Sequence, residues 1–206
     1  MIPTLGTILS MLLPAAAVAG TQTADKGSPR TLENLQAAFD GESNARNKYL
    51  AFAKKAVEEG YGEVASLFRA AAKAEEIHAH NHGVVIRSLG AEPKADIQAP
   101  EVKSTRENLA VAIAGETYER DTMYPEFIAE AKAAKNSDAL RTFTFAIKTE
   151  AEHARLYTEA LNKLETLKGA SRQYFVCAVC GYTTENLNFL RCLVCGVAKE
   201  EYIRVS

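Results

Sequence analysis

Apolar residues recur with a helical period just after residue 30: Leu32, Leu35, Ala38 and Phe39 step along one face toward Glu42, with polar residues between them. Thr31 precedes the run and Glu33 falls in its first turn. A helix is therefore predicted to open at Thr31 and run to about Glu59, where Gly60-Tyr61-Gly62 stops it. A second is predicted from about Glu63 to Leu89, closed by Gly90. Residues 91–103 (AEPKADIQAPEVK) carry two prolines and no helical period, a long connection that suits a crossover between two helix pairs. A third helix is predicted over about 104–135, kinked at Pro125. Asn136-Ser137-Asp138 then caps a fourth that runs to about Lys168.

The two helix pairs repeat. Gly41-Glu42-Ser43 corresponds to Gly115-Glu116-Thr117, and Val64-Ala65-Ser66-Leu67-Phe68 to Ala139-Leu140-Arg141-Thr142-Phe143. Glu116 follows Glu42 by 74 positions and Glu150 follows Glu75 by 75. A duplicated helix pair folds naturally into a pseudo-two-fold four-helix bundle. The predicted class is mainly α, a four-helix bundle over residues 31–168 with a long crossover, then a short linker (169–173) and a small separate domain (174–206).

Composition changes the picture at both ends. Leu5 to Leu13 is almost wholly apolar, and Ala17-Val18-Ala19 precedes Gly20 like a small-residue cleavage site. The run is too short to span a bilayer, and no Cys follows the cut to carry a lipid. Residues 1–19 are thus expected to be an export leader and residues 20–30 a linker, with a periplasmic location. No Lys or Arg precedes the apolar run, so an N-terminal arm on a cytoplasmic protein is the alternative. At the other end, residues 174–206 hold all four cysteines, and so short a segment needs a staple to fold. A formal charge of −2 without a long basic run gives no support for nucleic-acid binding.

The candidate chemistry lies in two Glu-x-x-His pairs, Glu75/His78 and Glu150/His153, each preceded by a lone glutamate, Glu42 or Glu116. Three residues advance a helix by about 300°, so each pair shares one face. One Glu from each of two helices plus Glu-x-x-His from each of the other two is the donor set of ferritin-like di-iron proteins. Buried carboxylates at this density need cations. Hard anionic ligands with neutral imidazoles favour iron, one ion per half. Glu119, three residues after Glu116, is a candidate fifth carboxylate, against the plainer reading of a solvated glutamate. Tyr49, seven residues after Glu42, faces the site and could hydrogen-bond a ligand carboxylate. Tyr124, eight residues after Glu116, should lie about 80° off that face. His82 could reach the site's edge in a supporting role; His80, Glu76 and Glu152 should face solvent.

Cys177-x-x-Cys180-Gly and Cys192-x-x-Cys195-Gly are two metal knuckles with eleven residues between Cys180 and Cys192. Gly after the second Cys permits the turn that points backbone N–H groups at sulfur. The expected product is a tetrathiolate site for iron or zinc, with a pair of disulfides as the alternative.

GESNARNKY, the EEIH and EAEH pairs, GETYERDTMYPEF and CAVCGY…CLVCG together resemble the rubrerythrins, over about residues 31–206. The resemblance implies a di-iron bundle joined to a rubredoxin-like iron–tetrathiolate domain, and a peroxidase that reduces hydrogen peroxide to water. It implies iron ligation by Glu42, Glu75, His78, Glu116, Glu119, Glu150 and His153, with Tyr49 and Tyr124 as site tyrosines. The equivalents of Glu119 and His78 exchange as ligands to one iron in the family. Cys177, Cys180, Cys192 and Cys195 would hold a third iron, although the second knuckle has Leu193 where Pro commonly follows the first Cys. An external reductase or small redox protein would supply electrons. The resemblance also implies a head-to-tail homodimer, which would bring the tail of one subunit to a neighbour's site if the modules of one chain are too far apart. Rivals are a ferroxidase using dioxygen and a non-enzymatic protein with a zinc-ribbon docking tail.

Overall fold

The computed structural model describes residues 28–206, so the expected leader and most of the linker after it lie outside the described residues. Four long helical arms form the bundle. Helix α1 spans Pro29–Glu58 and α2 Gly62–Ser88, paired as a hairpin. The second pair is α3 (Thr105–Tyr118) continued by α4 (Tyr124–Ala133), packed on α5 (Ser137–Asn162). No helix among the described residues is long and apolar enough to cross a membrane.

Helix α1 opens two residues earlier than Thr31, inside the expected linker. Pro29 takes the first helical position, where its missing N–H costs nothing, and Ser28 carbonyl accepts from Thr31 N–H at 2.8 Å. Thr31 is buried rather than capping. Asn136 does cap α5, its side chain accepting from Ala139 N–H at 2.9 Å. That helix stops at Asn162, short of Lys168, and gives way to a 3₁₀ turn, Leu164–Thr166.

The expected third helix is two α-helices separated by a π turn, Glu119–Met123, in which Tyr124 N–H bonds the Glu119 carbonyl five residues back. Pro125 lacks the N–H that the Asp121 carbonyl would need in a regular α-helix, so the wider turn sits just before it.

The crossover lies along α1. Gln36 Nε2 donates to the Glu92 carbonyl (2.7 Å) and its Oε1 accepts from Lys94 N–H (3.2 Å). Asn44 does the same to Asp96 carbonyl (3.1 Å) and Gln98 N–H (2.8 Å). An amide side chain has both donor and acceptor, so each reads alternate residues of an extended strand. Asp40 Oδ1 accepts from Asp96 N–H between them, at 2.7 Å.

Two aromatic knots flank the centre of the bundle. Tyr49, Phe52, Phe68 and Tyr157 pack on one side; Tyr124, Phe127 and Phe143 pack on the other. The repeat is visible here, since Tyr49–Phe68 (6.0 Å between centroids) matches Tyr124–Phe143 (5.9 Å). The tail is a three-stranded antiparallel sheet, ordered β2 (Thr183–Thr184), β1 (Tyr174–Cys177), β3 (Tyr202–Val205). Its connection is pinned to the bundle: Gly169 N–H donates to Gly60 carbonyl (2.9 Å) and Arg172 N–H to Ser66 Oγ (3.2 Å). Gly62 has no room for a side chain there, because a Cβ would lie 2.3 Å from the Gly169 carbonyl oxygen.

Candidate metal centres

Six of the seven predicted carboxylate and imidazole ligands converge in the bundle. Glu42, Glu75, His78 and Glu150 form one group, and Glu75, Glu116, Glu150 and His153 a second, with donor atoms in each group all within 4.8 Å of one another. Glu75 and Glu150 belong to both, as bridging carboxylates between two ions would. His78 Nδ1 lies 3.0 Å from Glu75 and 3.1 Å from Glu150; His153 Nδ1 lies 3.2 Å from Glu150 and 3.3 Å from Glu75.

The donor set fits metal. Glu42 Oε2, Glu116 Oε2, both oxygens of Glu75 and Glu150, and Nδ1 of both histidines are buried with no hydrogen-bond partner. Orphaned polar atoms at this density are rare in a folded interior unless an ion takes their lone pairs. The electrostatics agree. Burial raises Glu42 well above the usual carboxylate range, with Glu75 adding to it, and pushes Glu116 up to about 8 against the pull of His153. Glu75 is the exception: burial works against its charge, but His153 and His78 outweigh it and hold it at about 2. Cations can replace the protons this cluster otherwise has to hold.

Glu119 is not in either group. It lies in the π turn and is partly accessible; desolvation first, then Glu116 and Glu150, raise its pKa well above the usual range. His78 thus occupies the position beside Glu42, and Glu119 stands off. Tyr49 is where the spacing placed it, its hydroxyl donating to Glu116 Oε1 at 2.6 Å. Tyr124 is not off the face as expected. The π turn inserts one extra residue, so eight positions turn the chain about as far as seven would in an α-helix. Its hydroxyl consequently donates to Glu42 Oε1 in a short hydrogen bond. Each tyrosine holds the lone glutamate of the other half. His80 and Glu76 are exposed, and Glu152, partly buried, pairs with Arg155.

The four cysteines form the second centre. Their sulfurs pair at 3.5 Å (Cys180–Cys192) and 3.6 Å (Cys177–Cys195), far beyond a disulfide bond of about 2.05 Å. That spacing suits a tetrahedron with metal–sulfur bonds of about 2.3 Å. The knuckles match: Gly181 (φ +79°) donates to Cys177 carbonyl and Gly196 (φ +78°) to Cys192 carbonyl, both at 3.0 Å. Leu193 in place of Pro leaves the second turn like the first.

The modules are not too far apart within one chain. His78 Nε2 bonds the Cys180 carbonyl at 3.1 Å, and His153 Nε2 bonds Thr183 Oγ1 at 3.0 Å. A carbonyl only accepts, and the Thr183 hydroxyl already donates to Gly181 carbonyl (3.1 Å), so both imidazoles carry their proton on Nε2. Each Nδ1 lone pair then faces the carboxylates, as a ligand requires. The first knuckle therefore sets the tautomer of both site histidines. Thr183 gave no sign of this role in the sequence.

The family profile described as rubrerythrin matches residues 33–161. The chain belongs to the rubrerythrin family. Similar proteins include nigerythrin of Nitratidesulfovibrio vulgaris, 39% identical over 175 residues covering 84% of this chain and 85% of that one. Rubrerythrin-2 of Clostridium acetobutylicum is 33% identical over 84% of this chain and 95% of its own. Among solved structures, fully reduced, all-ferrous nigerythrin superposes with a TM-score of 0.78 at 33% identity, covering 94% of this chain and all of that one. A bacterioferritin of Desulfovibrio desulfuricans shares the fold alone, at 20% identity and a TM-score of 0.65. This rubrerythrin-family chain thus carries a carboxylate–histidine di-iron site and a rubredoxin-like four-cysteine site.

Proposed function

We propose that the protein reduces hydrogen peroxide to water in defence against oxidative stress, with electrons entering through iron in the tetrathiolate site. The observation that carries this reading is the hydrogen bond from His78 Nε2 to the Cys180 carbonyl. It couples an imidazole of one centre to the backbone of a cysteine of the other. A site built only to oxidise and deposit iron needs no such electron inlet.

Glu42, Glu75, Glu116, Glu150, His78 and His153 would hold the two ions, and Glu119 would join as a fifth carboxylate by displacing His78. Two ferrous ions bound there supply the two electrons that cleave the O–O bond. The chain's own part is to offset the charge, order the ligands and keep bulk water out. Glu75 and Glu150, which belong to both donor groups, would offset positive charge shared between the ions. Tyr49 and Tyr124 fix the orientation of Glu116 and Glu42. The six grouped ligands are at most 1% exposed, which strengthens every electrostatic interaction among them. Outside the chain the reading calls for a reductase or small redox protein as donor; a homodimer or larger homo-oligomer is proposed because the family is typically oligomeric, not because the electron path needs a second chain. For localisation we propose the periplasm, on the apolar run and cleavage pattern of residues 1–19.

Steady-state assay with an artificial one-electron donor tests the reading. Peroxide consumption should exceed dioxygen consumption, with two donor electrons used per peroxide and iron found in both centres. Preferential use of dioxygen with ferric iron deposition would support the ferroxidase instead. Zinc in the tail and no turnover would support the docking module.

A further inference from the structure

Reducing one hydrogen peroxide to two waters takes two electrons and two protons, and the six grouped ligands of the proposed site are buried. The question of where protons enter rests on that reading of function. On one side of the bundle a hydrogen-bonded chain leads out. Tyr124 hydroxyl bonds Glu42 Oε1, His82 Nε2 lies 3.1 Å from the Tyr124 hydroxyl, and Thr142 Oγ1 lies 3.0 Å from His82 Nδ1. Thr142, on α5, borders a surface pocket of about 230 Å³ lined also by Asn81, Val84, Asp138, Arg141 and Val179.

The chain has a direction. Glu42 as a carboxylate can only accept, so Tyr124 donates to it. The Tyr124 oxygen must then accept from His82 Nε2–H, which leaves Nδ1 to accept from the Thr142 hydroxyl. Every hydrogen points inward.

The repeat supplies the control. The 75-residue offset relates Thr142 to Leu67 and His82 to Tyr157. The opposite pocket, about 50 Å³, is lined by the counterparts Glu63, Leu67, Leu156 and Glu159, which stand for Asp138, Thr142, Asn81 and Val84. There the lining residue is an apolar Leu67, and the buried Tyr157 hydroxyl has no hydrogen-bond partner. These positions therefore carry no hydrogen-bonded chain in one half, while in the other half His82 and Thr142 are buried and bonded to each other.

We propose that Thr142, His82 and Tyr124 are a proton relay from this pocket to Glu42, serving one side of the bundle only. A hydrated proton in the pocket, drawn from bulk solvent, passes to Thr142 Oγ1 and leaves water behind, while the Thr142 proton passes to His82 Nδ1. The His82 Nε2 proton passes to the Tyr124 oxygen, and the phenolic proton passes to Glu42 Oε1. One proton is moved, His82 and Tyr124 keep their resting charges, and a tautomer flip of His82 resets the path. One ring nitrogen of His82 donates and the other accepts, the pattern of a neutral ring. The groups facing that ring are Glu42 on α1, His78 on α2, Tyr124 on α4, and Thr142 and Phe143 on α5.

Two measurements on the full chain test this. The first uses ¹⁵N-histidine-labelled, zinc-loaded protein: His82 should be the Nε2–H tautomer, and its N–H should exchange with solvent at least about tenfold more slowly in Thr142→Val. The second is peroxide-driven oxidation of the reduced iron protein, which should slow by about tenfold or more in the same variant. Thr142→Ser should restore both, and Val84→Trp, which plugs the pocket without touching the chain of bonds, should slow both. An Nδ1–H tautomer, or unchanged exchange in Thr142→Val and in Val84→Trp, overturns the relay. Failure of every iron-loaded form to react with peroxide, with exchange still dependent on Thr142, would sink the peroxidase reading and uphold the relay.

Discussion

Gly181 is the point at which the tetrathiolate domain presses on the di-iron site, and Gly181→Ala measures what that contact does. A Cβ at this position would lie 2.5 Å from His78 Nε2 and 2.9 Å from its Cδ2. Relief needs a shift of about 1 Å, because carbon contacts are comfortable near 3.5 Å. His78 is hemmed in by Glu75 and Glu150, so the knuckle has to move and the 3.1 Å bond to Cys180 carbonyl breaks. Gly181 also sits at φ +79°, where a side chain costs roughly 1–2 kcal/mol. Gly196→Ala isolates that backbone cost, since Gly196 has φ +78° and open space around its Cβ position. The broken hydrogen bond adds about 1 kcal/mol. Gly181→Ala should therefore destabilise by roughly 2–3 kcal/mol and Gly196→Ala by roughly 1–2 kcal/mol, read by chemical denaturation. The decisive assay is reoxidation of the reduced tetrathiolate after peroxide addition, followed by its visible absorbance. It should slow in Gly181→Ala and stay near wild type in Gly196→Ala. Equal rates in all three proteins would refute the His78–Cys180 contact as the electron inlet.

Further outcomes follow from the same geometry. Glu119→Ala should lower peroxide turnover while leaving iron bound by the six grouped ligands; unchanged kinetics would defeat its role. Cys192→Ser should abolish reduction by an external donor yet leave one peroxide turnover by a chemically reduced di-iron site, and equal loss of both would mark the tail as structural. The metal-free protein should lose stability as pH rises from about 5 to 8. Burial raises Glu42, Glu116 and Glu119, so the folded state holds protons that the unfolded chain releases above about 4.5. Glutamates around His78 and His153 offset the burial of those rings and raise them too, with the same sign, while Glu75 matters only in strong acid. Thermal melts of apo and metal-loaded protein over this range check it: a flat apo profile would contradict the raised values, and metal should stabilise more at high pH.

Much of the ligand set was legible because metal chemistry constrains both residue type and spacing. Two Glu-x-x-His pairs at one offset, each with a lone glutamate upstream, leave few other arrangements. What escaped depended on local backbone geometry or on docking. Tyr124 lies off its expected place because α-helical spacing does not hold between Glu116 and Tyr124, where a single π turn rotates everything after it. The partners of His82 were hidden for the same reason, although Thr142 facing the repeat position of Leu67 was a readable clue. The seat of the tail on His78 and His153 could not be read, since periodicity says which face of α2 is buried and not what covers it. The crossover's path along α1 did leave a trace in Gln36, Asp40 and Asn44, a polar stripe four residues apart.

The most direct test of the central claim is a single turnover. The iron-loaded protein is fully reduced without oxygen and mixed with one equivalent of hydrogen peroxide per di-iron site, while the spectra of both centres are recorded. A second equivalent per two chains follows. The account predicts prompt oxidation of the di-iron site by the first addition, then transfer of electrons from the tetrathiolate, with two electrons removed per peroxide and water as product. A di-iron site that stays reduced with peroxide yet oxidises promptly in dioxygen would contradict it.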